Sequence, residues 1–239
     1  MNKKLHFSSP RPDDFDKLDI TFLPENRSNS FLFEPKELVQ FETAWNWQKH
    51  IQEGLLKGTS SKQAIWLLQH DSCYTLGRGA DENNLLFDSR NPPCNLYRIN
   101  RGGEVTYHCP GQLVVYLALD LRRYKTDLYW YLRQLEQVLI DLLIELDLPG
   151  EQINGYTGIW CNNFKVASIG IGCKRWITQH GMALNINCDL TGFDQIVPCG
   201  ISGAKIGKIE SWIPGITVEQ VQPLMLNYLE KRFALIWNN

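Results

Sequence analysis

Residues 101–119 constrain this chain most. Arg101-Gly102-Gly103 leads into a short β-prone run, Glu104-Val105-Thr106-Tyr107, which ends in His108-Cys109-Pro110-Gly111-Gln112. Leu113-Val114-Val115-Tyr116-Leu117-Ala118-Leu119 follows and reads as a buried strand. Glycines let a backbone approach a ligand closely and make turns other residues cannot. The stretch is therefore a candidate ligand-lining loop fixed to a core strand. It lacks the Gly-x-x-x-x-Gly-Lys-Ser/Thr pattern of a phosphate loop, and no Gly-x-Gly-x-x-Gly opens a helix here. The plain alternative is a glycine-rich hairpin between two strands. Arg, Tyr, His and Gln within so short a span favour a site.

The rest of the chain supplies the frame. Residues 1–30 are polar, with Pro10, Pro12 and Pro24, and suggest an extension carrying one short strand at 20–23. Residues 31–239 are expected to form one domain. Pro35 is expected to open a helix over 35–57, with Gly58 as its stop. Residues 64–70, 95–100 and 112–121 read as strands. The clearest helix covers 127–147, where Leu128, Leu132, Leu135, Val138, Leu139, Leu142, Leu143 and Leu146 recur at helical spacing. Strands are expected at 155–161, 164–172 and 180–187. A final helix over 217–233 starts at a Thr-x-x-Gln capping box. Strands separated by unevenly placed helices indicate an α+β fold rather than regular βαβ alternation.

Bulk properties exclude several classes. The net charge of −2 gives no general attraction for nucleic acid. Seven cysteines, an odd number with no Cys-x-x-Cys pair, exclude a complete disulfide framework and argue against a zinc site. Free thiols suit a reducing compartment. Lys3 and Lys4 lack a following apolar core, and Asp13, Asp14, Asp16 and Asp19 do not suit a transit peptide. No apolar run reaches transmembrane length. The cytoplasm is the expected compartment, with no membrane association.

Four segments in order resemble one family. Arg-Gly-Gly-x-x-x-Tyr-His-x-Pro-Gly-Gln at 101–112 is similar to the signature of the lipoyl(octanoyl) transferases. Tyr74-Thr75-Leu76-Gly77-Arg78 resembles their upstream Tyr-Thr-x-Gly segment. Lys165-Val166-Ala167-Ser168-Ile169-Gly170, followed by His180-Gly181-Met182-Ala183-Leu184-Asn185, and then Pro198-Cys199-Gly200-Ile201 complete the set. The likeness covers roughly residues 31–235. It implies the catalytic fold of biotin and lipoate ligases, a mixed sheet flanked by helices. It also implies transfer of an octanoyl group from octanoyl-acyl carrier protein to a lysine of lipoyl domains, those of 2-oxoacid dehydrogenases and the glycine cleavage H protein. The resemblance implies a cysteine acyl-thioester, a monomer, and neither cofactor nor metal. An ATP-dependent ligase of the same fold and a non-catalytic carrier-binding module are the alternatives.

Cys199 lies between Pro198 and Gly200, a context that displays a thiol on a turn, although most free cysteines are buried small hydrophobes. Strand alternation puts Lys165 on one face with Ala167, Ile169 and Ile171. Such a lysine either snorkels to water or stabilises a thiolate. The resemblance implies the second role, with Cys199 as the acyl-accepting cysteine and Lys165 as its partner. It further implies that Arg101, Gly102, Gly103, Glu104, Val105, Thr106, Tyr107 and His108 bind substrate, together with Ser168, Ile169, Gly170, Gly181, Met182 and Ala183. His108 and His180 are either structural or donors to the acyl oxygen. Arg101 and Arg78 are candidates for a phosphopantetheine phosphate or an acidic carrier, with solvated surface as the alternative for Arg78. Cys109 replaces a more usual Gly and puts a second thiol beside the expected pocket; Cys73 replaces a Val-like residue.

Overall fold

The 113–119 run lies at the middle of a large sheet. The structure, a computed structural model, describes residues 29–198, Gly203 and 205–237. Its strands are β1 (Asn29–Phe33), β2 (Gln63–Leu68), β3 (Cys73–Leu76), β4 (Asn95–Arg98), β5 (Val105–His108), β6 (Gln112–Ala118), β7 (Ile159–Cys161), β8 (Phe164–Lys174), β9 (Ile177–Asn185) and β10 (Ile236–Trp237). The helices are α1 (Phe41–Lys57), α2 (Leu128–Glu145) and α3 (Val218–Phe233). Seven strands form one sheet in the order β10-β1-β2-β6-β9-β8-β7, and β4-β3-β5 form a second. In the large sheet β10, β1 and β2 run parallel, and β2, β6, β9, β8 and β7 are successively antiparallel. The expected α+β class, a mixed sheet flanked by helices, is the observed one.

Every residue of β2, β6 and β9 is buried, so these strands are covered on both faces. On one face Ile65, Leu67, Leu113, Val115, Leu117 and Leu184 pack on the apolar sides of α2 and α3. On the other, Trp66, Leu68, Val114 and Tyr116 meet Phe41 and Ala44 of α1. Each fully buried leucine or valine contributes about 1.5–3 kcal/mol to this sandwich.

Local signals set two helix starts. The Asp127 carboxylate accepts from the backbone N–H of Tyr129 and Trp130 and caps α2. At α3 the Thr217 and Gln220 side chains form the expected capping box. The first helix differs from expectation. It begins at Phe41, not Pro35, because Val39 is extended: its N–H donates to Gln69 O (2.9 Å) and its carbonyl accepts from His70 Nδ1 (2.6 Å). Its end is as expected, with Gly58 left-handed at φ 70°.

Two other differences shape the site. The strand expected over 155–161 is confined to β7, since Gly155 (φ 87°) and Gly158 (φ 131°) turn the chain into a loop. A β-bulge between β7 and β8 pairs Ile159 with Ala167 and Trp160 with Lys165, leaving Val166 as an extra residue. Paired residues share a face, so Lys165 lies opposite Ala167 rather than beside it. Elsewhere the 95–100, 112–121 and 180–187 strands move by a few residues at their ends, and β3 was not foreseen. The strand expected at 20–23 lies outside the described residues.

Candidate active site

A cavity of about 220 Å³ opens on the α1 side of the large sheet. Two rungs of the sheet form its floor: Gly170, Gly181 and Tyr116 in one, Ser168, Ala183 and Val114 in the next. Arg101 and the 103–106 segment wall one side, and Gly155, Tyr156 and Thr157 another. Phe41, Ile99, His108 and His180 complete the wall.

Small residues allow the layers to meet. A Cβ on Gly77 would stand 1.9 Å from Gly103 O, and one on Gly170 2.9 Å from Arg101 Cδ. A Cβ on Gly181 would stand 2.3 Å from Val115 O. Among the loop glycines, Gly103 needs its identity for conformation (φ 83°), whereas a Cβ on Gly102 meets nothing closer than Ile171 O at 3.7 Å. Close approach in this loop is thus enforced mainly from its partners, Gly77 and Gly170.

Of the residues expected to bind substrate, Arg101, Gly103, Glu104, Val105, Thr106, His108, Ser168, Ile169, Gly170, Gly181, Met182 and Ala183 line the cavity. Gly102 and Tyr107 are not in its wall. The Gly102 N–H donates to Ile171 O (2.8 Å), joining loop to sheet. Tyr107 points into the core of the small sheet, with its ring 5.0 Å from Tyr74 and its hydroxyl donating to Ser72 Oγ (2.9 Å). Phe41, Ile99, Val114, Tyr116 and Tyr156-Thr157 had not been foreseen. Gly-x-x-Gly at 155–158 was a legible signal for the last pair; Phe41 carries no local signal.

The polar groups are largely committed to holding the walls. Arg101 is buried; its Nη2 donates to Thr75 O (2.6 Å) and Oγ1 (2.9 Å), and its Nη1 to Gly102 O (2.9 Å). These bonds fix the guanidinium in the cavity wall. Arg78 is exposed. Glu104 accepts from Asp81 N and Asn84 Nδ2, and Asn84 O accepts from Val197 N (2.8 Å), two residues before Cys199.

Burial lowers the pKa of His108 and of His180 to about 3, so both rings are neutral and each has one N–H. Gln112 Nε2 donates to Tyr107 O, which turns Gln112 Oε1 to accept from His108 Nδ1 (2.7 Å). Asn100 Nδ2 donates to Gln179 Oε1, which turns Asn100 Oδ1 to accept from His180 Nε2 (2.8 Å). Each ring thus commits its one N–H to a side-chain oxygen while lining the cavity. His180 also holds a left-handed φ of 62° within β9, fixed by its N–H donating to Gln48 Oε1 (2.8 Å).

Lys165 is 1% exposed. Its Nζ donates to Thr157 O (3.0 Å), on the cavity wall, and lies 5.0 Å from the Trp160 ring centre. Its backbone is held from the other side: Lys165 N donates to Lys205 O (2.7 Å) and Gly207 N to Lys165 O (2.9 Å). Cys199 lies outside the described residues. Cys109 is not in the cavity wall; its hydrogen bond with Cys188, then burial, raises its pKa well above the ordinary thiol range. Burial does the same to Cys73. Among the described residues no group of His, Cys, Asp and Glu is arranged to hold a metal ion, and no helix is long and apolar enough to cross a membrane.

Comparison with known proteins extends these observations. Residues 40–230 match the lipoyl protein ligase A/B catalytic domain family. The chain is 57% identical over 235 residues to an octanoyltransferase of Prochlorococcus marinus (strain MIT 9211), covering 98% of this chain and 100% of that one. It is 61% identical over 220 residues to the octanoyltransferase of the SARG strain, covering 92% and 98%. Among solved structures it resembles lipoate-protein ligase A bound with ATP, with TM-score 0.68 and 13% identity over 90% of this chain and 88% of that one. It also resembles a bipartite lipoate protein ligase from Thermoplasma acidophilum, with TM-score 0.63 and 11% identity over 89% and 86%. At such identities the structural likeness speaks for the fold alone.

Proposed function

We propose that this chain, which belongs to the lipoyl protein ligase A/B catalytic domain family and is an octanoyl-transferring acyltransferase of protein lipoylation, works through an acyl-thioester on Cys199. The donor is octanoyl-acyl carrier protein. The acceptors are lysines of lipoyl domains, those of 2-oxoacid dehydrogenases and the glycine cleavage H protein. The Cys199 thiolate attacks the donor's carbonyl carbon, and the bond to the carrier's thiol breaks. The Lys165 ammonium protonates that leaving thiolate and becomes a neutral amine. The acceptor amine then attacks the acyl-enzyme, its proton passes to Lys165, and Cys199 leaves as thiolate. An amide has formed and the starting ion pair is restored. Dividing the transfer in two means that donor and acceptor need never be bound together.

The observation that supports this reading is the Nζ of Lys165, buried and bonded to Thr157 O on the wall of an acyl-sized cavity. An apolar cavity of ~150 Å³ takes up benzene, so eight carbons need roughly 200 Å³ on the same scale. The 220 Å³ available suits an octanoyl chain lying on the Gly170–Gly181 and Ser168–Ala183 rungs. The chain on both sides of Cys199 is tied to this region, Val197 through Asn84 and Glu104, and 205–207 through Lys165. The reading takes the enzyme as a cytoplasmic monomer, in keeping with the free thiols of the six described cysteines.

The test is intact mass after mixing with octanoyl-acyl carrier protein. One octanoyl adduct, removable by hydroxylamine and mapped to Cys199, is expected. Cys199→Ala should abolish adduct and turnover together. An active Cys199→Ala variant, or adenylate formation from free octanoate and ATP without an adduct, would overturn the mechanism. Lys165→Met should move the pH dependence of Cys199 alkylation towards the unperturbed thiol value of ~8.5.

A further inference from the structure

We infer that Asn185, with Gln112 and His108 behind it, is a positioning residue for Lys165. The inference rests on the role assigned above to Lys165 and Cys199. Three hydrogen bonds run in one direction from the cavity wall. His108 Nδ1 donates to Gln112 Oε1 (2.7 Å), Gln112 Nε2 to Asn185 Oδ1 (2.8 Å), and Asn185 Nδ2 to Gly207 O (2.9 Å). Gly207 N in turn donates to Lys165 O (2.9 Å). The relay therefore connects a group in the cavity wall to the backbone of the lysine.

The relay's direction is enforced. Gln112 Nε2 must face Tyr107 O, so its oxygen can only accept from His108. Its other donation then orients the Asn185 amide, whose nitrogen is left for Gly207 O. Gln112 and Asn185 are direct cross-strand partners of β6 and β9, and all three side chains are buried. Buried polar groups of this kind are costly to leave unpaired, so the relay holds one arrangement. Lys165 pairs with Trp160 of β7 next to the β-bulge at Val166, and the 205–207 segment flanks it on the other side. That segment has its own constraint, since a Cβ on Gly207 would stand 2.7 Å from Phe164 Cβ. Asn185 anchors it to the main sheet. Without that bond the 205–207 segment loses its tie to β9, and the Lys165 backbone loses the support of that segment.

Asn185→Leu keeps the approximate volume and removes the amide. The expected result is a kcat for acyl-enzyme formation lowered roughly 10- to 100-fold, the scale of an ångström-level misplacement, with donor KM within about 2-fold of the parent. The pH midpoint for iodoacetamide alkylation of Cys199 should rise towards ~8.5 as the ammonium loses its alignment. Gln112→Met breaks the relay one link earlier, leaves the Asn185–Gly207 bond intact, and should move both readouts in the same direction by less. Parental kcat and parental midpoint in folded Asn185→Leu would overturn the inference. So would a kcat loss that merely tracks the lost folded fraction while the midpoint stays parental. Should Asn185→Leu fail to fold, parental values in Gln112→Met overturn it equally. Absence of a Cys199 adduct in the parent would instead remove the mechanism on which the inference rests.

Discussion

Acidification should destabilise this protein through three buried histidines, His108 and His180 in the cavity wall and His70 behind it, against Tyr116. Burial lowers the pKa of His70 to about 4, and of His108 and His180 to about 3, from 6.5. These folded-state values are depressed, so the native protein resists protons that the unfolded chain accepts. Stability from this source is fully present above pH 6.5 and is lost as pH falls through the window between 6.5 and the folded values. At about pH 5 the unfolded chain is almost fully protonated at each site and the native protein is not. The loss relative to about pH 7.5 is then about 2 kcal/mol per histidine, or about 6 kcal/mol for the three. The figure is insensitive to the folded pKa values so long as they lie below ~4.5. It is comparable with the whole stability of a typical domain, about 5–15 kcal/mol. Urea unfolding followed by tryptophan fluorescence is a suitable assay. With an m-value of about 3 kcal/mol/M the midpoint should fall by about 2 M between the two pH values. Single His→Gln substitutions provide the control. Each should remove about a third of the pH-dependent loss, whatever it does to stability at neutral pH. Equal urea midpoints at both pH values, or a His180→Gln variant with the parent's full pH dependence, would refute the reasoning.

Gly181→Ala should be costly, because its Cβ would press on the backbone of the neighbouring strand, 2.3 Å from Val115 O. A loss of about 2–3 kcal/mol is expected, lowering Tm by roughly 4–12 °C; a native-like Tm would mean the sheet yields there. In the 101–108 loop the two glycines should part company. Gly103→Ala (φ 83°) should cost about 1–2 kcal/mol and weaken donor use, whereas Gly102→Ala should be nearly silent in both melting and donor kinetics. Iodoacetamide at mildly alkaline pH should leave Cys109 unmodified in the native protein, since its thiol is 2% exposed and its pKa is raised. Peptide mapping that finds Cys109 alkylated as fast as Cys199 would contradict its burial.

Local patterns carried much of this architecture. Asp127 and the leucines after it specify α2, Thr217 and Gln220 specify the start of α3, and Gly58 ends α1, because each depends on hydrogen bonds between residues a few positions apart. The run at 113–119 announced a buried strand by composition alone. The ordered segments at 101–112, 165–170 and 180–185 pointed to the cavity wall before the sheet was known. Tertiary structure decided the rest. The first helix starts late because Val39 bonds to Gln69 and His70, some thirty residues away. Lys165 changes face because of a bulge opposite β7, which strict alternation cannot register. Arg101, His108 and His180 are held in the cavity wall by Thr75, Gln112 and Asn100, partners from distant parts of the chain. Phe41 and Tyr116 reach the cavity only through the packing of α1 on β6. Periodicity and capping encode short-range contacts. Which distant polar group satisfies a buried donor depends on strand register and layer packing, and those exist only in the folded chain.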